Sequence, residues 1–166
     1  MRLLALALIL ASGTAVAADP ADAGLENYPL TMANVRKMAA AYEALDAAAK
    51  KNPAIAERLA QDDGTTNLAQ LIAKCEGDPA IKAALASAGI SARDAVLTQA
   101  ALATAAGALY LQQQTGESPA GPPAAIANLA FYQQHLAELE PIGQRLQKLD
   151  ILQPAEDEEG EDPADD

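Results

Sequence analysis

The sequence predicts an all-α protein: a compact bundle of about six helices around a buried central helix spanning about residues 92–114. Three observations predict it. Alanine, the best helix former, supplies 42 of the 166 residues. Aromatic residues make up 3% of the chain and tryptophan is absent, so the usual material of sheets is missing. Apolar residues recur at intervals of three and four along most of residues 30–152, the period of one helix face.

The elements follow in order. The opening stretch "MRLLALALILASGTAVAADPAD" has a basic start at Arg2, a short apolar run from Leu3 to Ala11, and small residues at Ala15-Val16-Ala17. That pattern predicts a secretory signal peptide over residues 1–18 and an oxidising destination, periplasmic or secreted. The apolar run is shorter than the roughly 20 residues that cross a bilayer. Residues 19–29 show no periodicity and predict a flexible tether. Thr31 is placed to cap a first helix, on which Val35, Met38, Tyr42 and Leu45 share a face. Lys50 and Lys51 fall at its end, where cations meet the negative pole of the helix.

Asn52-Pro53 starts a second, shorter helix carrying Ile55 and Leu59 inward, because proline is well placed at a first helical position. After Gly64 a third helix carries Leu68, Leu71, Ile72 and Cys75 to Gly77. Asp78-Pro79 caps a fourth with Ile81 and Leu85, closed by Gly89. Ser91 and Asp94 form a capping pair ahead of "AVLTQAALATAAGALYL", residues 95–111, a helix apolar nearly all round and therefore expected at the centre. Thr98 and Thr104 on it are expected to bond back to carbonyls of the preceding turn. "TGESPAGPP" at residues 115–123 is a linker. A last helix from near Asn128 sets Leu129, Tyr132, Leu136 and Leu139 on one side, and Pro141 predicts a kink or a fresh start before Ile142, Leu146 and Leu149. No other segment beyond the leader is expected to cross a membrane. Residues 30–152 thus form one helical domain, followed by a disordered acidic tail over 153–166.

Charge limits the partners. The chain carries −12, and the last fourteen residues hold eight acids with no base. Such a balance disfavours nucleic acid and anionic lipid, which are bound by neutralising phosphates with Lys and Arg. The tail has oxygens for hard cations but not the ligand spacing of a calcium loop, and Asp62-Asp63-Gly64 lacks the ligands that should follow.

Candidate chemistry is sparse. Cys75 is the only cysteine, so no intrachain disulfide can form; burial, a disulfide-linked dimer and a free reactive thiol stay open. Its place on the apolar face beside Leu71 and Ile72 points to burial as a small hydrophobe. His135 is the only histidine, and Glu138 lies three residues on along the same helical face, the spacing that bundle metal sites use. Those two are the metal candidates; such a site needs further ligands from other helices, and no cofactor is predicted. No phosphate-binding glycine motif or nucleophile elbow is present. Tyr42, Tyr110 and Tyr132 each fall on an apolar helix face, expected in the core and otherwise lining a pocket between helices.

Leu30-Thr31, "SAGIS" at 87–91, "VLTQAAL" at 96–102 and "NLAFYQQHLAEL" at 128–139 together resemble secreted all-helical proteins of Gram-negative bacteria that have no known function. The resemblance implies a compartment and a fold type and brings no activity. Periplasmic chaperones of the Spy type carry Leu-Thr-x-x-Gln motifs, but "LTMAN" has Asn34 at the glutamine position and "LTQAA" sets Gln99 too early. The expectation is an exported, non-enzymatic helical protein that binds an envelope protein or a small hydrophobic ligand. The alternative is a metal-dependent protein or enzyme using His135 with nearby carboxylates.

Overall fold

The computed structural model describes residues 24–60, 67–117 and 120–152. The predicted signal peptide, Asp62-Asp63-Gly64 and the predicted acidic tail lie outside them. Among the described residues the protein is all-helical, with seven α-helices and no strand. They are α1 (Met32–Lys51), α2 (Pro53–Ala60), α3 (Leu68–Gly77), α4 (Pro79–Ala88), α5 (Ala92–Thr115), α6 (Pro123–Gln134) and α7 (Leu136–Leu146). Short 3-10 turns stand at Leu25–Asn27 and Asp150–Leu152.

The starts and stops follow from local chemistry. Thr31 Oγ1 accepts from Asn34 N–H at 3.2 Å and Asp78 Oδ1 from Ala80 N–H at 2.8 Å, each satisfying an N–H that the first helical turn leaves without a partner. Ser91 Oγ accepts from Asp94 N–H at 3.0 Å and donates to the Asp94 carboxylate at 2.7 Å, so the pair closes on itself. Gly89 ends α4 and Gly116 ends α5 at φ 65° and 73°, a left-handed backbone that glycine adopts without steric cost.

α5 is the hub, packed on by α1, α3, α4 and α6. Leu97 and Leu102 on its inner side are 1% exposed, and α1 contributes Val35 and Met38 to the same core. Full burial of each such leucine is worth about 1.5–3 kcal/mol. Among the described residues no buried side-chain nitrogen or oxygen lacks a hydrogen bond.

The fold departs from the expectation in five places. Seven helices replace about six, because the last helical stretch divides. It starts at Pro123 rather than near Asn128, since Pro122-Pro123 presets the first turn, and it breaks at His135 (φ −105°, ψ 14°). Pro141 sits inside α7 without ending it. Residues 24–29 are not a tether: Leu25–Asn27 lies against α5 and α6, and the Tyr28 ring packs on the core. Thr98 turns its hydroxyl to Tyr28 at 2.9 Å rather than back along its own helix, as Thr104 does to Ala100. The central helix is buried only on its inner side and toward its start; Tyr110 near its end is 53% exposed. Finally, α5 is long and apolar enough, by length and composition, to cross a membrane, although no such segment was expected beyond the leader; a core helix of a bundle meets the same description.

Both ends of the described chain are clamped by buried polar side chains. Asn128 Oδ1 accepts from Leu30 N–H and Asn128 Nδ2 donates to the Tyr28 carbonyl, both at 2.8 Å, so one α6 side chain satisfies two main-chain groups. The Tyr28 hydroxyl also accepts from Asn34 Nδ2 at 2.9 Å. At the other end Asp46, 4% exposed, accepts from Ile151 N–H at 3.3 Å and pairs with Lys50 at 2.8 Å. Burial opposes ionisation of Asp46, but Lys50 and the backbone N–H groups outweigh it and hold its pKa below the ordinary carboxylate value.

Candidate functional site

His135 and Glu138, the two metal candidates, lie within hydrogen-bond reach of each other. His135, at the α6–α7 junction, is bonded through Nδ1 to Glu138 Oε1 at 2.9 Å, and its ring lies 4.5 Å from that of Phe131. The other Glu138 oxygen accepts from Arg36 Nη2 at 2.8 Å. His135, then Arg36, hold the Glu138 carboxyl below its ordinary pKa. The third group at this place is thus a guanidinium from α1, where a metal site would need another ligand. Among the described residues no three His, Cys, Asp or Glu side chains gather around a common point. The arrangement braces a helix break against α1.

Cys75 is half-buried on α3 against the core, its thiol pKa raised mainly by burial. A raised thiol pKa lowers the thiolate fraction and with it nucleophilicity. The three tyrosines separate. The Tyr42 hydroxyl donates to Gln99 Oε1 on α5, and burial, with Cys75 nearby, raises its pKa strongly. Tyr132 is buried in the core, with its pKa also raised by burial. Tyr110 alone stands outside, so the expected cluster of three does not form.

What sequence reasoning missed is a surface. Residues 95–137 contain one carboxylate, Glu117, one imidazole, His135, and no lysine or arginine. Burial explains this only for the inner sides of α5 and α6. On their outer sides Thr104, Gly107, Tyr110 and Leu111 are exposed on α5, and Ile126, Ala127 and Ala130 on α6. Leu111 is 60% exposed and Ile126 52%, so among the described residues three of the four exposed large apolar side chains lie on this pair of helices. The fourth, Leu136, adjoins His135. α5 and α6 pack together and are joined near the end of α5 by an amide pair, Gln133 to Gln112 at 2.9 Å. The signal was available: a solvated helix in a chain that is 20% charged ordinarily carries charge on its outer side. Hydropathy alone does not separate this pattern from that of a helix buried on every side.

Chemically, such a face offers dispersion contact and the release of ordered water, and few groups for proton or group transfer. Comparison with protein-family models, with curated proteins and with solved structures finds no match to this chain.

Proposed function

We propose that this chain is an exported helical protein that acts by binding another envelope protein through the uncharged outer face of α5 and α6. The observation that carries the reading is the exposure of Tyr110, Leu111 and Ile126 on two adjacent helices whose outer sides, between Asp94 and Glu117 and again along α6, bear no charge. Burying large apolar side chains is the main source of protein–protein affinity, and charge depletion marks the centres of such interfaces. Export is supported by the leader-like residues 1–18. A small hydrophobic ligand between the helices is the weaker form of the reading, because Tyr42 and Tyr132 fill that space themselves.

The test is site-specific photo-cross-linking in envelope preparations from the source cells. A photoreactive residue replaces Leu111, with a control at Lys37, an exposed residue of α1. The expected result is an adduct of one defined protein mass at 111 and none at 37. No adduct at 111, or the same adducts at both positions, overturns the reading.

A further inference from the structure

We infer that residues 148–152 form an acid-released strap: when the Asp46 carboxylate takes a proton from water, Asp150–Leu152 lifts off α1 and α2 while the N-terminal segment stays closed.

The setting of Asp46 is the first support. This acid is 4% exposed, and a carboxylate taken out of water keeps its charge only where ions and N–H donors replace the water. Lys50 Nζ lies 2.8 Å from its Oδ2 and 3.4 Å from the Asp150 carboxylate, and Ile151 N–H donates to its Oδ1 at 3.3 Å. One buried carboxylate thus gathers a lysine of its own helix and the backbone of the strap. Apolar contact adds less, since Leu149 and Leu152 are only partly buried against the core. Once protonated, Asp46 offers Ile151 a neutral acceptor, whose bond is roughly half as strong. Lys50 is then left with Asp150, whose side chain is 73% exposed, and exposed pairs contribute little.

No neighbouring charge is placed to take over. On α7 Arg145 is bound to Glu43 of α1, and on α2 Arg58 is bound to Asp78 of α4. Lys51, Glu57, Lys82 and Lys148 are exposed, and α5 carries no charge between Asp94 and Glu117. Burial raises the Asp46 pKa, but Lys50 and the strap's N–H groups more than offset it and leave it lowered. The closed strap is therefore complete above the unfolded value of about 4 and is lost as pH falls through the folded one.

The other end of the chain is the second support. Asn128 holds the Leu30 N–H and the Tyr28 carbonyl, both at 2.8 Å, with an amide that does not titrate. The acid nearest that clamp, Asp94, lies 3.4 Å from the Tyr28 hydroxyl, which Thr98 and Asn34 also bond at 2.9 Å. Acid thus acts directly on one clamp and not on the other. Opening uncovers the inward sides of Leu149 and Leu152 and the part of α1 and α2 beneath them, an apolar surface presented only at low pH.

The experiment follows the backbone amides of the isotope-labelled full chain by NMR from about pH 7 to about pH 3. The heteronuclear NOE of Ile151 and Leu152 should collapse in one step below about pH 4, while Leu30 and α4 keep theirs. Asp46→Asn should speed hydrogen exchange at Ile151 about tenfold at neutral pH and abolish the acid step. Lys50→Met removes the partner charge and should move the step to higher pH; circular dichroism confirms that each variant folds. If Asp46→Asn does not fold, Lys50→Met decides. The inference is overturned if Leu30 is lost together with Ile151, if Ile151 is indifferent to acid, if folded Asp46→Asn exchanges like the parent, or if Lys50→Met leaves the step in place.

Discussion

The pair α1–α7 and the pair α5–α6 each close part of the same core, and they finish their outer sides with opposite chemistry. α1 and α7 are tied across the surface by charge, Arg36 to Glu138 at 2.8 Å and Arg145 to Glu43 at 3.2 Å. α5 and α6 are tied by one amide pair and otherwise present alanine, glycine, uncharged threonine and glutamine, and exposed large apolar side chains. Water solvates the first surface well and the second poorly. Packing requires an apolar inner side of every helix in both pairs but makes no demand on the outer sides. The contrast is therefore not a requirement of the fold, and it is what the proposed binding role rests on.

The sharpest way to break this comparison uses one residue type on one helix. Leu102→Ala, at a position 1% exposed, should cost about 2–5 kcal/mol in a urea denaturation, by lost transfer energy and the cavity left behind. Leu111→Ala, at 60% exposure, should stay within about 0.5 kcal/mol for the monomer. A large loss at 111 in dilute monomer would show that the outer face is structural after all.

A smaller effect is expected at the clamp between α6 and the N-terminal segment. Asn128→Ala strands the Leu30 N–H and the Tyr28 carbonyl, at a cost of about 2–3 kcal/mol. Hydrogen exchange at Leu30 should accelerate by more than it does at α4, if the clamp is local.

Acid should act on the charged parts and leave the α5–α6 face alone. Asp78 is held below the ordinary carboxylate pKa first by Arg58, with the Ile81 and Ala80 N–H groups adding to it. Asp46 is depressed as well, by Lys50 and backbone N–H groups against its own burial. For groups lowered in the folded state, the stabilisation is complete above the unfolded value of about 4 and is lost as pH falls through the folded one. Stability should thus decline below about pH 4, and Asp78→Asn, losing about 1 kcal/mol at neutral pH, should show a shallower acid decline than the parent. Smallest of all, Arg145→Ala should move the melting midpoint by no more than about two degrees, because its pair with Glu43 is exposed and screened by salt.

The helix caps and core stripes were legible because they are local. Thr31, Asp78, Ser91 and Gly89 act within a turn of their own position, and the buried Val35, Met38 and Leu45, and Leu129 and Tyr132, recur at the three- and four-residue intervals of a helix face. Asn128 was not legible, since a polar residue amid an apolar stripe says nothing of main-chain partners ninety-eight and one hundred residues away. Nor was the exposure of Tyr110: periodicity places it on a helix but cannot tell that the neighbouring helices leave that part of α5 uncovered. His135 and Glu138 were paired correctly, while Arg36, which changes what the pair can do, comes from a distant helix.

The two end clamps bear on when this protein can become rigid. Tyr28 reaches Thr98 seventy residues on, Leu30 waits for Asn128, and Asp46 waits for Ile151, one hundred and five residues later. A polypeptide delivered from its N-terminus, off a ribosome or through a narrow channel, can pack α1 on α4 and α5 by mid-chain, but the side chains that clamp Leu30 and Asp46 meet their partners only when Asn128 and Ile151 have emerged. Among the described residues, the contacts completed last in chain order are thus those that close over residues 28–30 and Asp46.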